Sequence, residues 1–284
     1  MKTIATFSIA AYDPEAEEWG VAVQSKFLGC GSAVCFAKAG AGAIATQANA
    51  NLDFGELGLV MLDKGYSAEQ VLNALLALDE GRADRQLGIV DAQGRSASYT
   101  GEKCMDWAGS ISGPNFTCQG NILVGEETVS AMAESFRNSD GPLAHRLVQA
   151  LDAGQNAGGD RRGRQAAAVL IVKDHGSYGG YNDRMIDLRV DDHPDPIHKL
   201  GEMLDMHDLY FGVTEVKVPM EGELCRQVQS ALAAKGFYSG AIDGIYGEES
   251  RSAFATWCGM ENYEERICEG AFMDEKVMKI LLEK

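Results

Sequence analysis

Three stretches of the chain gather side chains able to do chemistry. The first is TFSIAAYDPE, where Thr6 and Ser8 stand two residues apart. In a strand that spacing puts both hydroxyls on one face. Either can attack a carbonyl once a base takes its proton, although Thr is also an ordinary strand residue. The second is AGGDRRGRQ (157–165), in which Asp160 is followed by Arg161, Arg162 and Arg164, with Gln165 at its end. Three guanidinium groups around one carboxylate are unusual in a chain of net charge −17. They predict either fixed ion pairs or a bidentate grip on a substrate carboxylate by Arg161 or Arg164. The third is DLRVDDHPDP (187–196), with four Asp, one Arg and one His. Asp191, Asp192 and His193 are hard or borderline metal ligands. The simpler reading is that Arg189 and these carboxylates pair with the arginines of 161–164, while Pro194 and Asp195 open a helix. No metal is therefore expected. His145, His198 and His207 fall on predicted helices and read as surface residues.

The elements that must position these groups are legible from pattern. Residues 3–12 and 19–25 are apolar, β-branched runs around the turn DPEAEE, a hairpin signal. AVCFAKAGAGAIATQ (33–47) supplies two short strands whose Ala and Gly residues let helices pack closely. The period then changes to helical in ELGLVMLDKG (56–65) and SAEQVLNALLALDE (67–80). Gly65 fits a C-cap, and Ser67 with Gln70 a capping box. RQLGIVDAQGRSASYTG (85–101) reads as strand, turn and strand, with Gln93-Gly94 in the turn. Two helices at 128–139 and 142–154, strands at 164–174 and 184–192, and a closing helix at 196–211 follow. Blocks of strands alternating with pairs of helices predict an α+β fold of two packed sheets covered by helix layers. A doubly wound fold would alternate singly. VTEVKVPMEG (213–222) has no clear period and reads as a linker. Helical segments at 224–236, 251–260 and 274–284 surround the Gly-rich turn GAIDGIYGEES (240–250).

Bulk properties narrow the function classes. With 284 residues, the chain suits one large domain and one small one. The net charge of −17 excludes nucleic acid and anionic membrane as expected partners, because both need clustered Lys and Arg. No apolar run approaches the roughly 18 residues of a membrane span. The opening MKTIATFSIAAYDPE lacks a secretory apolar region. The seven cysteines have no CxxC spacing and read as reduced, buried thiols. A cytoplasmic protein without a cofactor is the expectation.

TFSIAAYDPE, WGVAVQSKFL, AGAIATQA, RQLGIVDAQGRSASYTG, QGNILVG, AGGDRRGRQ and DLRVDDHPDP together resemble a family of uncharacterised bacterial proteins, the domain of unknown function 1028 (DUF1028), assigned to the Ntn-hydrolase-like superfamily. The resemblance covers about residues 3–211. It implies an Ntn-hydrolase-like four-layer αββα sandwich over residues 1–212. In such enzymes a Thr, Ser or Cys at the start of the first strand is the nucleophile. Its own α-amine, with a pKa of about 8, is the base. The resemblance points to Thr6, with Ser8 second. It implies Lys26 as an electrostatic support, with Lys38 as rival. It implies that the loop Thr46-Gln47-Ala48-Asn49 donates N–H groups to an oxyanion. Asp160 takes the place of the Asp in an Asp-x-x-Ser-Gly turn, and Gly163 replaces the Ser. Thr6 gains an α-amine only if the Ala5–Thr6 bond is cut, and Lys2 disfavours loss of Met1.

LCRQVQSALAAKGFYSGAIDGIYGEESRSAF resembles a peptidoglycan-binding repeat, whose Asp-Gly-x-Tyr/Phe-Gly turn is matched by Asp243, Gly244, Tyr246 and Gly247. This implies a small all-α domain at 223–284. The turn then either contacts a ligand or serves as scaffold, with Tyr246 packed between helices. The combined expectation is an amidohydrolase for a non-peptide or small-peptide C–N bond. Its substrate would be a small-molecule or peptide amide, possible peptidoglycan fragments included. The alternative is a non-catalytic binding or assembly protein that keeps the fold. Relatives with this fold commonly self-associate, so a homo-oligomer is expected.

Overall fold

The computed structural model describes residues 6–283. The chain divides into two units, Met1–Met203 and Leu204–Lys284.

The first unit opens with β1 (Thr6–Asp13) and β2 (Glu18–Ser25), paired antiparallel with Thr6 opposite Ser25. Asp13 closes their turn by accepting the backbone N–H groups of Glu15 and Ala16. A short helix α1 (Gly31–Val34) precedes β3 (Cys35–Lys38) and β4 (Gly42–Ala48), so the third strand starts two residues later than the pattern suggested. Helices α2 (Asp53–Asp63) and α3 (Ala68–Leu78) follow, then β5 (Arg85–Asp91), β6 (Ser96–Thr100), β7 (Gly109–Gly113) and β8 (Phe116–Asn121). Next come α4 (Glu127–Asn138), α5 (Leu143–Asn156), β9 (Ala166–Val172) and β10 (Arg184–Val190), and then α6 (Pro196–Phe211), whose residues from Leu204 on belong to the second unit. The predicted capping box is present at α3, where Ser67 accepts the Gln70 N–H and the Gln70 side chain accepts the Ser67 N–H. Gly65 and Gly94 take the left-handed φ values, 88° and 76°, that their positions after a helix and in a turn require.

Two antiparallel sheets result, one of six strands in the order β10-β9-β2-β1-β8-β7 and one of four in the order β3-β4-β5-β6. Their inner faces share a core of Ala10, Val21 and Val23 from the larger sheet with Ala43, Ala45 and Val90 from the smaller. Helices α4 and α5 pack on the larger sheet, and α2 and α3 on the smaller. Small residues set the closeness of these contacts. A methyl group on Gly20 would lie 2.8 Å from the Leu147 side chain of α5, and one on Gly58 of α2 would lie 2.5 Å from Ile44 of β4. The first unit is thus α+β, as its pattern predicts.

The second unit contains α7 (Gly222–Ala234), α8 (Glu248–Glu261) and α9 (Glu275–Glu283). It is not all-α. Strand β11 (Lys217–Pro219), inside the stretch that reads as linker, pairs antiparallel with β12 (Phe272–Asp274). Three residues are too few for any period to show, and Pro219 is tolerated because neither strand has a second neighbour. Cys225 and Val228 of α7, Phe254 and Trp257 of α8, and Val277 and Leu281 of α9 meet in its core. Arg266 is 1% exposed. It donates to the backbone carbonyls of Asp208, Leu209 and Val213 and pairs with Asp274 at 3.3 Å.

All seven cysteines are free thiols, but only Cys30, Cys118, Cys225 and Cys258 are buried, and Cys35, Cys104 and Cys268 are partly exposed. Burial pushes the Cys258 thiol up to about 12, and Cys118 also above its ordinary value, so neither carries thiolate at neutral pH. Among the described residues no helix is long and apolar enough to cross a membrane.

Candidate functional site

Strand alternation puts Thr6, Ser8 and Ala10 on the face of β1 that looks into the space between the sheets. Both hydroxyls are fully buried there, but their surroundings differ. Ser8 Oγ donates to Gln47 Oε1 at 2.6 Å and accepts from Gln119 Nε2 at 2.7 Å. Gln47 Nε2 reaches Gln86 Oε1 at 2.8 Å and the Thr6 carbonyl at 3.3 Å. Gln86 Nε2 donates to the Gly120 carbonyl at 2.7 Å, and Asn121 Nδ2 donates to Gln86 Oε1 at 3.0 Å. Four buried amides are therefore linked around Ser8, which offsets much of their desolvation, although Asn121 Oδ1 has no partner among the described residues. Ser8 has spent its proton inside this network.

Thr6 stands at the end of the strand. It pairs with Ser25 on one side and Asn121 on the other, and its Oγ1 donates to Ser25 Oγ at 3.2 Å. The next residue, Lys26, donates its backbone N–H to Asp160 Oδ2 at 2.9 Å. Asp160 is 3% exposed, and Arg162 holds it through NH2 at 2.9 Å and Nε at 3.2 Å. The arginine-rich turn is also tied to the chain leaving β8. Val124 N–H donates to the Gly159 carbonyl, and Arg161 N–H to that of Ile122. One chain of contacts thus runs from Thr6 through Ser25 and Lys26 to Asp160.

A pocket of about 590 Å³ opens beside this chain. Its wall carries the cations of Lys26 and Arg162, the amide of Gln165, and the apolar side chains of Phe27, Leu28, Met105 and Ile122. Lys26 and Ile122 directly follow Ser25 and Asn121, the two cross-strand partners of Thr6. Ile122 holds φ at +54° and Ala48, at the end of β4, at +66°. Such values cost a residue with a Cβ about 1–2 kcal/mol and persist only where neighbours enforce them. The enforcing bonds at Ile122 are its N–H to the Met105 carbonyl and its carbonyl to Arg161.

Other expected site residues lie differently. Lys38 pairs with Asp63 at 2.7 Å on the smaller sheet, away from Thr6. Asn49 is a poor oxyanion donor, because its N–H is already bonded to the Asp84 carbonyl and its own carbonyl to Arg85. Gln47 contributes its side chain to the Ser8 network, and Ala48 ends the strand. Lys26 Nζ donates to the Arg164 carbonyl at 3.1 Å, not to Thr6. Arg164 pairs with Asp195 at 2.9 Å, as expected of an ion pair between the two motifs. Arg189 instead pairs with Asp187 on its own strand at 2.8 Å, because alternation places them side by side. The exposed carboxylate of Asp192 accepts from Gln165 Nε2, the His193 N–H donates to the Gln165 carbonyl, and the Asp191 carbonyl accepts from Gly29. These bonds secure Gln165 at the pocket wall. Among the described residues no three His, Cys, Asp or Glu side chains are grouped to hold a metal ion.

Sequence reasoning missed Ser25, Gln86, Gln119, Asn121 and the pocket residues Phe27, Leu28, Met105 and Ile122. A signal existed for the amides, since Gln86, Gln119 and Asn121 interrupt strands that are otherwise buried along their length. None existed for Met105, which lies in an irregular segment.

In the second unit the Asp-Gly-x-Tyr turn is held from below. Fully buried Gln229 donates to Asp243 Oδ1 at 3.0 Å and accepts from the Gly244 N–H at 3.0 Å. Gly244 takes φ +80°, and Tyr246 is 8% exposed within the core, where burial pushes its phenol up. Concave surface in this unit includes a pocket of about 620 Å³ whose wall carries Tyr238, Glu248, Glu249, Ser252 and Thr256, and one of about 400 Å³ beside Arg226 and Ser230.

A family model described as "Family of unknown function (DUF1028)" matches residues 6–200, and one described as "Putative peptidoglycan binding domain" matches residues 213–281. The crystal structure of a protein from Silicibacter pomeroyi, described by the first of these family models, is 33% identical to the chain. It covers 72% of this chain and 86% of its own, with a TM-score of 0.66. No curated protein matches the chain.

Proposed function

Starting from the fact that the chain belongs to the DUF1028 family, we propose that its first unit is an Ntn-hydrolase-like αββα sandwich acting as an amidohydrolase on a C–N bond. Thr6 is the nucleophile. The observation that carries this reading is the contact chain Thr6–Ser25–Lys26–Asp160, which brings the hydroxyl of the first strand and the carboxylate of the arginine-rich turn to one end of the sheet. The left-handed Ile122 and Ala48 beside it agree with a site where strain is maintained. Cutting the Ala5–Thr6 bond frees the Thr6 α-amine. That amine takes the Oγ1 proton, Oγ1 attacks the amide carbonyl, and the amine of the substrate leaves with the proton. Water then hydrolyses the acyl ester and regenerates Thr6. Asp160 acts by position, fixing Lys26 and hence Ser25 beside the nucleophile. Ser8 belongs to the scaffold, because its proton is held by Gln47.

The test is a chain shortened to Met-Thr6-Phe7, whose initiator Met is removed because the next side chain is small. It is expected to release amine from a panel of N-acyl amides. Thr6→Ala in that background lowers the rate by about a millionfold, the order seen when a nucleophile is deleted. Ser8→Ala leaves most of the rate in the folded fraction. An inactive shortened chain, or activity surviving Thr6→Ala, removes the proposal. The second reading, a non-catalytic binding or assembly protein, draws on the complete burial of Thr6. In either case the second unit is read as a module for wall fragments or peptides, with the 620 Å³ pocket as its binding surface.

A further inference from the structure

We infer that the pocket beside Thr6 selects small amides that carry a carboxylate and an apolar side group, such as N-acylated hydrophobic amino acids. This deepens the amidase reading and rests on it for the chemical step, though not for binding.

The argument is one of charge and surface. The chain as a whole is acidic, at −17, yet the pocket wall carries two cations and no carboxylate. Of the acids bonded to wall residues, Asp160 has its side chain out of water and is matched by Arg162, while the exposed Asp192 carboxylate accepts from Gln165 Nε2 at 3.0 Å. Lys26 is different. Its ammonium donates to a neutral carbonyl and makes no ion pair among the described residues. An ammonium has three N–H donors, so an incoming carboxylate meets an uncompensated charge at the pocket wall. Opposite in character are Leu28 and Met105, which are 63% and 51% exposed. Together with Phe27 and Ile122 they give the same pocket an apolar side. A volume near 590 Å³ fits a small molecule and not a folded partner. The net charge of −17 repels anions from the chain as a whole, so a wall that carries cations and no carboxylate is a place where they can collect.

The test uses the full chain and a pair of probes that differ in charge alone, N-acetyl-leucine and N-acetyl-leucinamide. Titration followed by NMR is expected to show the anion binding roughly tenfold more tightly than the neutral amide, as one charge-assisted contact allows. Lys26→Met, which keeps the apolar stem, abolishes the preference. Lys26→Arg keeps it. Equal affinity for the two probes overturns the inference, as does no saturation by the anion at roughly 10 mM, the millimolar range of the weakest specific contacts. A preference untouched by Lys26→Met overturns it too. Because binding needs no chemistry, the two proposals fail separately. Hydrolysis of neutral and anionic amides alike by the shortened chain defeats the substrate class and leaves the nucleophile. Lys26-dependent anion binding with no Thr6-dependent hydrolysis defeats the nucleophile and leaves the pocket.

Discussion

Asp160 keeps its charge almost entirely out of water, with Arg162 and two backbone N–H groups as its partners. Replacing it by Asn removes the charge and turns an amide donor toward groups that themselves donate. Breaking a buried pair from one side costs about 3–5 kcal/mol, and the partial exposure of Arg162 reduces that here to about 2 kcal/mol. Urea denaturation of Asp160→Asn should show a loss of that order, and a loss under about 0.5 kcal/mol would mean that the carboxylate does not organise the turn. At this scale the sequence was only half legible. Thr6 and Ser8 look alike as letters, and what separates them is register with β8 and the facing of Gln47 from the other sheet, which no local pattern encodes. Likewise Arg161, Arg162 and Arg164 are equivalent on paper. Which of them meets Asp160 depends on a turn in which Gly158, Gly159 and Gly163 all take positive φ.

Elements were far easier to read than sites. The helical and alternating periods located most strands and helices of the first unit, because each buries one face and its neighbours fix which face. The joints are more informative about stability. Asp79 caps the end of α3, and Arg85 opens β5. They meet at 2.7 Å with both side chains largely covered. The Arg85 hydrogen bond is the main reason the Asp79 carboxyl titrates below its ordinary range. A depressed folded-state value stabilises the protein above the unfolded pKa of about 4, and that contribution disappears as pH falls through the folded value. Melting temperatures of the parent and Asp79→Asn should therefore differ at pH 7 and converge as pH falls below about 4. A difference that is constant from pH 7 to pH 3 would assign the effect to hydrogen bonding alone. What pattern could not supply was β11, where three residues pair with a partner more than fifty positions away.

On the scale of the molecule, two units recur in both the contacts and the family matches, although the borders differ. The reason for the difference is physical and local to the second unit. Its buried Arg266 draws in the carbonyls of Asp208, Leu209 and Val213, and the Val216 carbonyl accepts from Glu275. A fragment spanning 204–284 should therefore melt as a cooperative unit. One spanning 214–284 leaves the buried guanidinium with Asp274 but without its three carbonyl acceptors, a defect worth about 3 kcal/mol, and should lose its cooperative transition by circular dichroism. If both melt alike, the arginine is not what organises the region. Anyone transplanting this module into another protein has to carry the preceding ten residues with it, since what looks like dispensable tether is wound into the graft as its lining.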